Sequence, residues 1–291
     1  MDRAGVEQIK PLPPLQNRGE VERGEATQFY RGLIRRRLLI ILLLVGAIAV
    51  SLWFDLILGP SNLSAKTFFQ VLVSPDEFSK GIQNIVWNIR LPEALMAIVV
   101  GLALGLAGAE MQTVLNNPLA SPFTLGVSSA ASFGAALAIV SGIGFASISQ
   151  QWFVSANAFI FALLSALMLD FVARLTKAMT SGIVLFGIAL VFSFNALVSM
   201  MQFIATEDTL QGLVFWTMGS LTRADWVKLS ILLVLFAIIM PWSFANSWKL
   251  TAFRLGEDRA LSFGINIRAL RLNTLIRVSL LAAASVAFVG P

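Results

Sequence analysis

The sequence predicts an all-α, polytopic membrane protein with about seven transmembrane helices. Of its 291 residues, 57% are hydrophobic and only 13% are charged, whereas soluble domains carry about 25% charged residues. The apolar residues also occur in long uncharged runs, and the longest is residues 111–169. These runs lack the alternation that is typical of barrel strands. The composition therefore excludes an ordinary soluble enzyme and favours a helical membrane protein.

The helices follow from the length of each apolar run, because a bilayer core requires about 17–25 residues per helix. The run at 111–169 is too long for one helix, so the turn signals Asn116-Asn117-Pro118 and residues 142–151 must divide it. The last run contains one charge, Arg277. The predicted helices span about 38–58, 92–113, 119–141, 152–173, 183–205, 227–247 and 271–289.

The basic residues predict the orientation of these helices. With a cytoplasmic N-terminus, arginine and lysine concentrate in the segments 1–37, 114–118, 174–182 and 248–270 that lie inside. Residues 1–37 are then a flexible cytoplasmic tail, and 38–291 form the transmembrane domain. A cleaved signal peptide is the alternative, although the first apolar run exceeds the usual 7–15 residues of such peptides.

The residue inventory also limits the chemistry. The chain contains no cysteine and no histidine, so it lacks the commonest general base and the commonest zinc ligands. Glycine-rich phosphate-binding loops are also absent from the sequence. We therefore expect no enzymatic activity in this chain alone, no catalytic residues, no metal site and no cofactor.

The first candidate segment precedes the second helix and contains Arg90, Pro92 and Glu93. Proline suits the first turn of a helix because its missing N–H would be unpaired there anyway. The segment is therefore either a plain helix start at the membrane interface or a docking patch, formed by Arg90 and Glu93, for a partner outside.

The second candidate segment covers residues 101–126. The spacing of its glycines predicts a small-residue face for close helix packing, and a polar turn that follows either only connects two helices or lines a pathway. Glu110 lies near the end of the helix, where it either reaches the interface or forms an intramembrane functional site. The packing and pathway candidates are Gly101, Gly105, Gly108, Gln112, Asn117 and Pro118.

The third candidate segment, residues 255–266, lies in the largest internal cytoplasmic loop. Gly256 and Gly264 bracket a predicted short helix whose first residues are acidic, as suits a helix N-terminus. Its apolar residues either serve a solvated connector or pack against a partner protein, and the second interpretation suits an amphipathic helix better.

At these residues the sequence resembles the permease subunits of ABC importers for iron–siderophore complexes, haem and cobalamin, known as the FecCD type. The resemblance covers about residues 38–291. The matching stretches, in order, are Arg90-Leu91-Pro92; residues 105–112 with Asn117-Pro118-Leu119-Ala120-Ser121-Pro122 and residues 125–129; Gly187-Ile188-Ala189-Leu190; residues 216–221 with Trp226; residues 255–266; and Val289-Gly290-Pro291.

The resemblance implies a ten-helix fold in a bacterial inner membrane and the import of metal chelates, most characteristically Fe(III)–siderophores. It implies three kinds of partner: a second permease subunit, two cytoplasmic ATPase subunits, and a periplasmic or surface binding protein. The turn at Asn117-Pro118 and the fifth helix would then lie along the pathway. The residues that would contact the ATPase are Gly256, Glu257, Asp258, Ala260, Leu261 and Gly264.

Two departures from the family pattern leave alternatives open. The family usually has a second arginine where this sequence has Glu93, so one docking charge is reversed. The family also continues beyond Gly290-Pro291 with further helices, and we therefore expect the transmembrane domain to be C-terminally incomplete. An ion-coupled secondary transporter that uses Glu110, or a non-functional permease fragment, are the alternative readings.

Overall fold

The computed structural model describes residues 15–57, 63–142, 149–175 and 180–291, with side chains from Tyr30 onward except 173–181. Every regular element in these ranges is helical, and the predicted all-α class is confirmed. Contacts divide the chain into two compact units, Met1–Ala65 and Lys66–Pro291.

The first unit contains α1, Leu15–Ile57, whose apolar part is Tyr30–Ile57. This helix begins well before residue 38, so residues 15–37 are helical where a flexible tail was expected. The reason is local: the last proline of the N-terminal segment is Pro14, and many of the residues that follow favour a helix. Residues 1–14 of the expected tail lie outside the described ranges.

The second unit contains ten α-helices in its described ranges, linked by short 3-10 turns and one π-helical stretch. The 3-10 turns are Pro75–Glu77 and Leu221–Arg223, and the π-helix is Ile85–Arg90. The α-helices are α2 Ala65–Val73, α3 Lys80–Asn84, α4 Leu91–Val114, α5 Val127–Ser141, α6 Gln150–Leu175, α7 Thr180–Ile204, α8 Glu207–Thr217, α9 Trp226–Phe253, α10 Glu257–Ser262 and α11 Ile267–Val289.

Six helices in the described ranges are long and apolar enough to cross a membrane, and α5 is a shorter apolar helix. The predicted third helix was to begin near residue 119, but α5 begins at Val127, after Gly126 at φ +87°. Only glycine adopts this backbone conformation without a steric penalty, so it ends the preceding turn region and starts the helix. With 15 residues, α5 is about 22 Å long, less than the core of a bilayer.

The centre of the second unit is α11, which contacts α4, α5, α6 and α9. In the most hydrophobic 18-residue stretch of α11, 78% of the residues are buried. Its second half is rich in alanine and serine, from Ala282 to Ala287, and such small residues let neighbouring helices approach closely on every side.

Another close approach joins α7 to the turn that precedes α5. A Cβ built on Gly187 of α7 would lie 2.6 Å from Leu125 Cδ2, and one on Gly126 would lie 3.0 Å from Leu190 Cβ. Two of the stretches that carry the family resemblance therefore pack against each other, and their glycines are required by that packing.

Candidate functional site

A buried ion pair lies among three of the long helices. Glu110 of α4 and Arg277 of α11 are 4% and 0% exposed. Arg277 Nη2 donates to Glu110 Oε1 at 2.9 Å, and Nε donates to Oε2 at 3.2 Å. This is the bidentate geometry, in which two parallel N–H···O bonds make the recognition of a carboxylate by arginine specific. The interpretation of Glu110 as an interfacial side chain is therefore wrong.

Hydroxyl groups complete the surroundings of this ion pair. Ser243 of α9 donates a hydrogen bond to Glu110 Oε1, so the carboxylate joins all three helices. Arg277 Nη2 also donates to Thr274 Oγ1 at 3.2 Å, and the guanidinium carbon lies 5.2 Å from the centre of the Trp242 ring. Nη1 of Arg277 is buried and has no hydrogen-bond partner in the described part of the chain.

A cleft between α4 and α9 has Glu110 in its lining, together with apolar and hydroxyl-bearing side chains. Its volume is about 230 Å³. The cleft is lined on its polar side by Glu110, Thr113, Ser243, Ser247, Thr251 and Arg254. The four hydroxyl groups donate hydrogen bonds within the protein, that of Ser243 to Glu110 and the other three to backbone carbonyls of their own helices.

The predicted short helix in the last internal loop is confirmed as α10, Glu257–Ser262. Gly256 (φ +114°) precedes it and Gly264 (φ +75°) follows it, and both backbone conformations favour glycine. Ala260 is fully buried in a small cluster with Leu250 and Phe253. This cluster holds α10 against the end of α9.

The outward side of this segment exposes large apolar side chains. Leu255, Leu261 and Phe263 are 55%, 57% and 60% exposed. Asp258 is also exposed, and Glu257 Oε1 accepts a hydrogen bond from Arg271 Nη2 of α11 at 2.9 Å. The segment thus combines an anchored backbone with an exposed apolar surface beside acidic groups, as a protein-binding helix does.

The turn after α4 is held by its own polar groups. The N–H of Leu119 donates to Asn117 Oδ1 at 2.9 Å, and Ser121 and Thr124 exchange hydrogen bonds. The candidates Gln112 and Pro118 are exposed, and Leu119 is 81% exposed. The turn is therefore held by local hydrogen bonds while its tip is exposed.

The predicted glycine packing face is not used within the described chain. A Cβ built on Gly101, Gly105 or Gly108 would meet no heavy atom within 4 Å. The packed face of α4 instead contains Ala103 and Ala107, both fully buried. Small residues recur at this spacing on two faces of α4, and spacing does not distinguish them, so packing through the glycine face stays a prediction.

The first candidate segment lies at the start of α4, as predicted, but its arginine is buried. Arg90 is only 8% exposed, in the π-helical stretch before α4. Arg90 and Glu93 both interact with other groups in the molecule. A docking role for Arg90 would require this side chain to leave its buried position.

Arg223 is a structural residue that the sequence interpretation did not single out. Its guanidinium donates to the carbonyls of Phe215, Trp216 and Val289 at 2.6, 3.2 and 3.3 Å, joining the ends of α8 and α11. Burial lowers the pKa of Arg223 from its ordinary value. Arg277 was likewise missed as the partner of Glu110, although its position as the single charge in an apolar run was a signal.

The family model of the FecCD transport family matches residues 41–291. The chain is 32% identical over 270 residues to an ABC transporter permease protein of Methanocaldococcus jannaschii, covering 90% of this chain and 77% of that protein. It is 33% identical to the vitamin B12 import permease of Yersinia enterocolitica, covering 73% of this chain and 62% of the relative. The molybdate import permease of Haemophilus influenzae is also 33% identical, with 86% and 72% covered.

A solved structure has the same fold. It is an inward-facing conformation of a metal-chelate type ABC transporter, with a TM-score of 0.73 and 28% identity, and the match covers 87% of this chain and 76% of that one. The chain therefore spans between about three-fifths and four-fifths of the length of the proteins that it matches.

Proposed function

The chain belongs to the FecCD transport family, and on this basis we propose that it is a membrane permease subunit of an ATP-driven importer for metal chelates. The observation that carries the proposal is the segment around α10. It lies between two helices of spanning length, its backbone is held by Ala260 and two glycines, and it exposes Leu255, Leu261 and Phe263. Such a surface suits the binding of a separate ATPase subunit.

We propose the following arrangement around the chain. A second permease subunit completes the pathway, and two ATPase subunits bind on the cytoplasmic side, one to α10 and its flanking glycines in each permease subunit. A binding protein delivers the chelate from the outer side. The excess of basic residues in alternate loops supports a cytoplasmic N-terminus, and the membrane is the cytoplasmic membrane of a bacterium.

For the cargo we propose an Fe(III)–siderophore. The chain has neither histidine nor cysteine, and these are the residues that would commonly take a transition metal from its chelator. A pathway without them suits a metal that crosses as an intact chelate. The relatives named above for vitamin B12 and molybdate make those two compounds the necessary competitors in any uptake assay.

An ion-coupled secondary transporter is the second candidate, and one observation favours it. Glu110 and Arg277 form a buried ion pair inside the helical bundle, and paired ionisable groups at membrane depth often serve ion coupling. Uptake into proteoliposomes distinguishes the two functions. An importer requires the ATPase and ATP, whereas a secondary transporter works with an imposed ion gradient alone.

The α10 segment gives a direct test of the importer. The double variant Glu257→Ala/Leu261→Ser should reduce co-purification of the ATPase while leaving membrane insertion unchanged. The matched control is Val73→Ser, because Val73 is 82% exposed on α2, on the opposite side of the membrane in the proposed orientation. Equal recovery of the ATPase with the double variant and with the control would contradict the proposed contact.

Uptake of the labelled chelate tests the cargo. Cells that express the importer should accumulate ⁵⁵Fe supplied as a siderophore, and excess unlabelled siderophore should compete while cobalamin and molybdate do not. Competition by either of the other two compounds, without transport of the iron chelate, would reassign the cargo and leave the importer function in place.

A further inference from the structure

We propose that α11 mechanically links α10 to the walls of the α4–α9 cleft, with Arg271 and Arg277 as the positioning residues at the two ends of the link. The inference rests on the proposed ATPase contact of α10. It adds a route by which movement of α10 reaches the transmembrane helices.

The outer end of this link is the pair Glu257–Arg271. Arg271 lies in the second turn of α11, and its Nη2 is 2.9 Å from Glu257 Oε1, at the first residue of α10. The side chain of Arg271 is 17% exposed and that of Glu257 is 56% exposed. The contact therefore reaches from the surface of α10 to a largely buried group on α11.

The inner end is the pair Glu110–Arg277, about one and two-thirds turns further along the same helix. Six residues of α-helix separate the two arginines, or about 9 Å along the axis. Arg277 binds Glu110 of α4 through two hydrogen bonds, and Ser243 of α9 binds the same carboxylate. Both walls of the cleft are thus joined to α11 at one point.

The segment between the two pairs is suited to transmit displacement. It is continuous α-helix, and Thr274, Leu275 and Arg277 within it are buried. Packed interiors shift between discrete arrangements and deform little. A displacement of Arg271 along the helix axis therefore moves the Arg277 guanidinium with it.

The α9 wall of the cleft contains a position where the helix can bend. Pro241 lies inside α9, two residues before Ser243, and proline removes one backbone hydrogen bond of the helix. The helix is consequently easier to bend beside the serine that contacts Glu110. This places a flexible point of the cleft wall next to the inner ion pair.

The test measures chelate transported per ATP hydrolysed by the assembled importer in proteoliposomes. Three variants break the outer pair, the inner pair, or both: Arg271→Gln, Glu110→Gln/Arg277→Gln, and the triple combination. The inner double variant removes both charges together, so no buried charge is left alone. If it does not assemble, Ser243→Ala takes its place, because it detaches α9 from Glu110 and keeps the ion pair. Arg268→Gln, an exposed position in the first turn of α11, controls for loss of positive charge.

We expect Arg271→Gln and the inner variant each to lower the transport ratio by about 5- to 150-fold, the range that coupling energies between sites usually span. Basal ATP hydrolysis per assembled complex should remain unchanged, and the transport ratio is compared between equal amounts of assembled complex. The triple variant should lose little more than either alone, since one broken contact already interrupts the link.

Two results would overturn the link. One is an unchanged transport ratio in Arg271→Gln or in the inner variant. The other is a triple variant whose loss equals the product of the two separate losses, because independent sites behave in that way. If the unmodified importer fails to couple uptake to ATP at all, the proposed function fails instead, and the two failures are therefore distinguishable.

Discussion

Arg223 and Val289 lie 66 positions apart in the chain, yet the guanidinium of Arg223 donates a hydrogen bond to the carbonyl of Val289 at 3.3 Å. The N–H of Ser220 donates to the same carbonyl at 2.6 Å. Because the last carbonyls of a helix have no partner within the helix, these two donors satisfy the end of α11. The segment 216–223 is therefore a cap for the central helix of the bundle.

Replacement of Arg223 by alanine should destabilise the protein. The variant loses charged hydrogen bonds to three carbonyls, and we expect a loss of about 2 kcal/mol, within the range for hydrogen bonds to charged groups. The midpoint of thermal unfolding in detergent micelles measures this loss of stability. Arg268→Ala, at an exposed arginine of α11, is the control, and an equal midpoint for both variants would show that the cap contributes nothing.

Two glycines should respond oppositely to alanine. At Gly134 of α5 the new Cβ would lie 2.5 Å from the carbonyl oxygen of Asn157, a backbone atom of α6 that cannot rotate away. We expect Gly134→Ala to lose about 1–3 kcal/mol through overpacking. At Gly105 the Cβ meets nothing within 4 Å, and alanine favours a helix by about 0.5–1 kcal/mol over glycine.

The two glycine variants are compared by denaturant unfolding and by expression yield. Gly105→Leu extends the comparison to a large side chain. If Gly105→Ala and Gly134→Ala lose the same stability, the face of α4 with Gly105 is also in close contact, for example with a second subunit, and the packing prediction from the sequence is restored.

Glu110→Gln should be the most destabilising of the polar substitutions. It leaves Arg277 buried with no charge partner, and breaking a buried ion pair from one side costs about 3–5 kcal/mol. The double variant Glu110→Gln/Arg277→Gln should recover part of the loss because no charge remains. A double variant less stable than Glu110→Gln, measured by unfolding in detergent, would contradict the assignment of the pair as mutually compensating.

Arg90→Ala should lower stability more than it changes binding-protein association. Arg90 is 8% exposed and interacts within the molecule, whereas a rim charge that steers a partner is normally accessible. Lys80→Ala, at an exposed residue of α3, is the control for charge loss. A slower association rate for Arg90→Ala at low salt, with a smaller effect at 1 M salt where the Debye length is about 3 Å, would restore the docking interpretation.

The membrane class, the positions of most long helices and the short helix α10 were predictable from the sequence. Each depends on residues that are close together in the chain: an uncharged run is long enough to span a bilayer, and Gly256 and Gly264 bracket seven residues with an acidic start. Helix formation is largely a local event, so these features need little knowledge of distant residues. The start of α5 differs from its predicted position because Asn117-Pro118 only begins the turn region, and Gly126 ends it just before Val127.

The roles of individual residues were decided only by the tertiary structure. Glu110 has its partner 167 positions away, and nothing near it in the chain distinguishes an interfacial carboxylate from a buried one. The same holds for Gly105 and Gly134, which differ in whether another helix passes nearby, and for Arg90, whose burial depends on how the segments around it pack. A local sequence pattern indicates which roles a residue can have. Contacts between distant segments then determine which of these roles it takes.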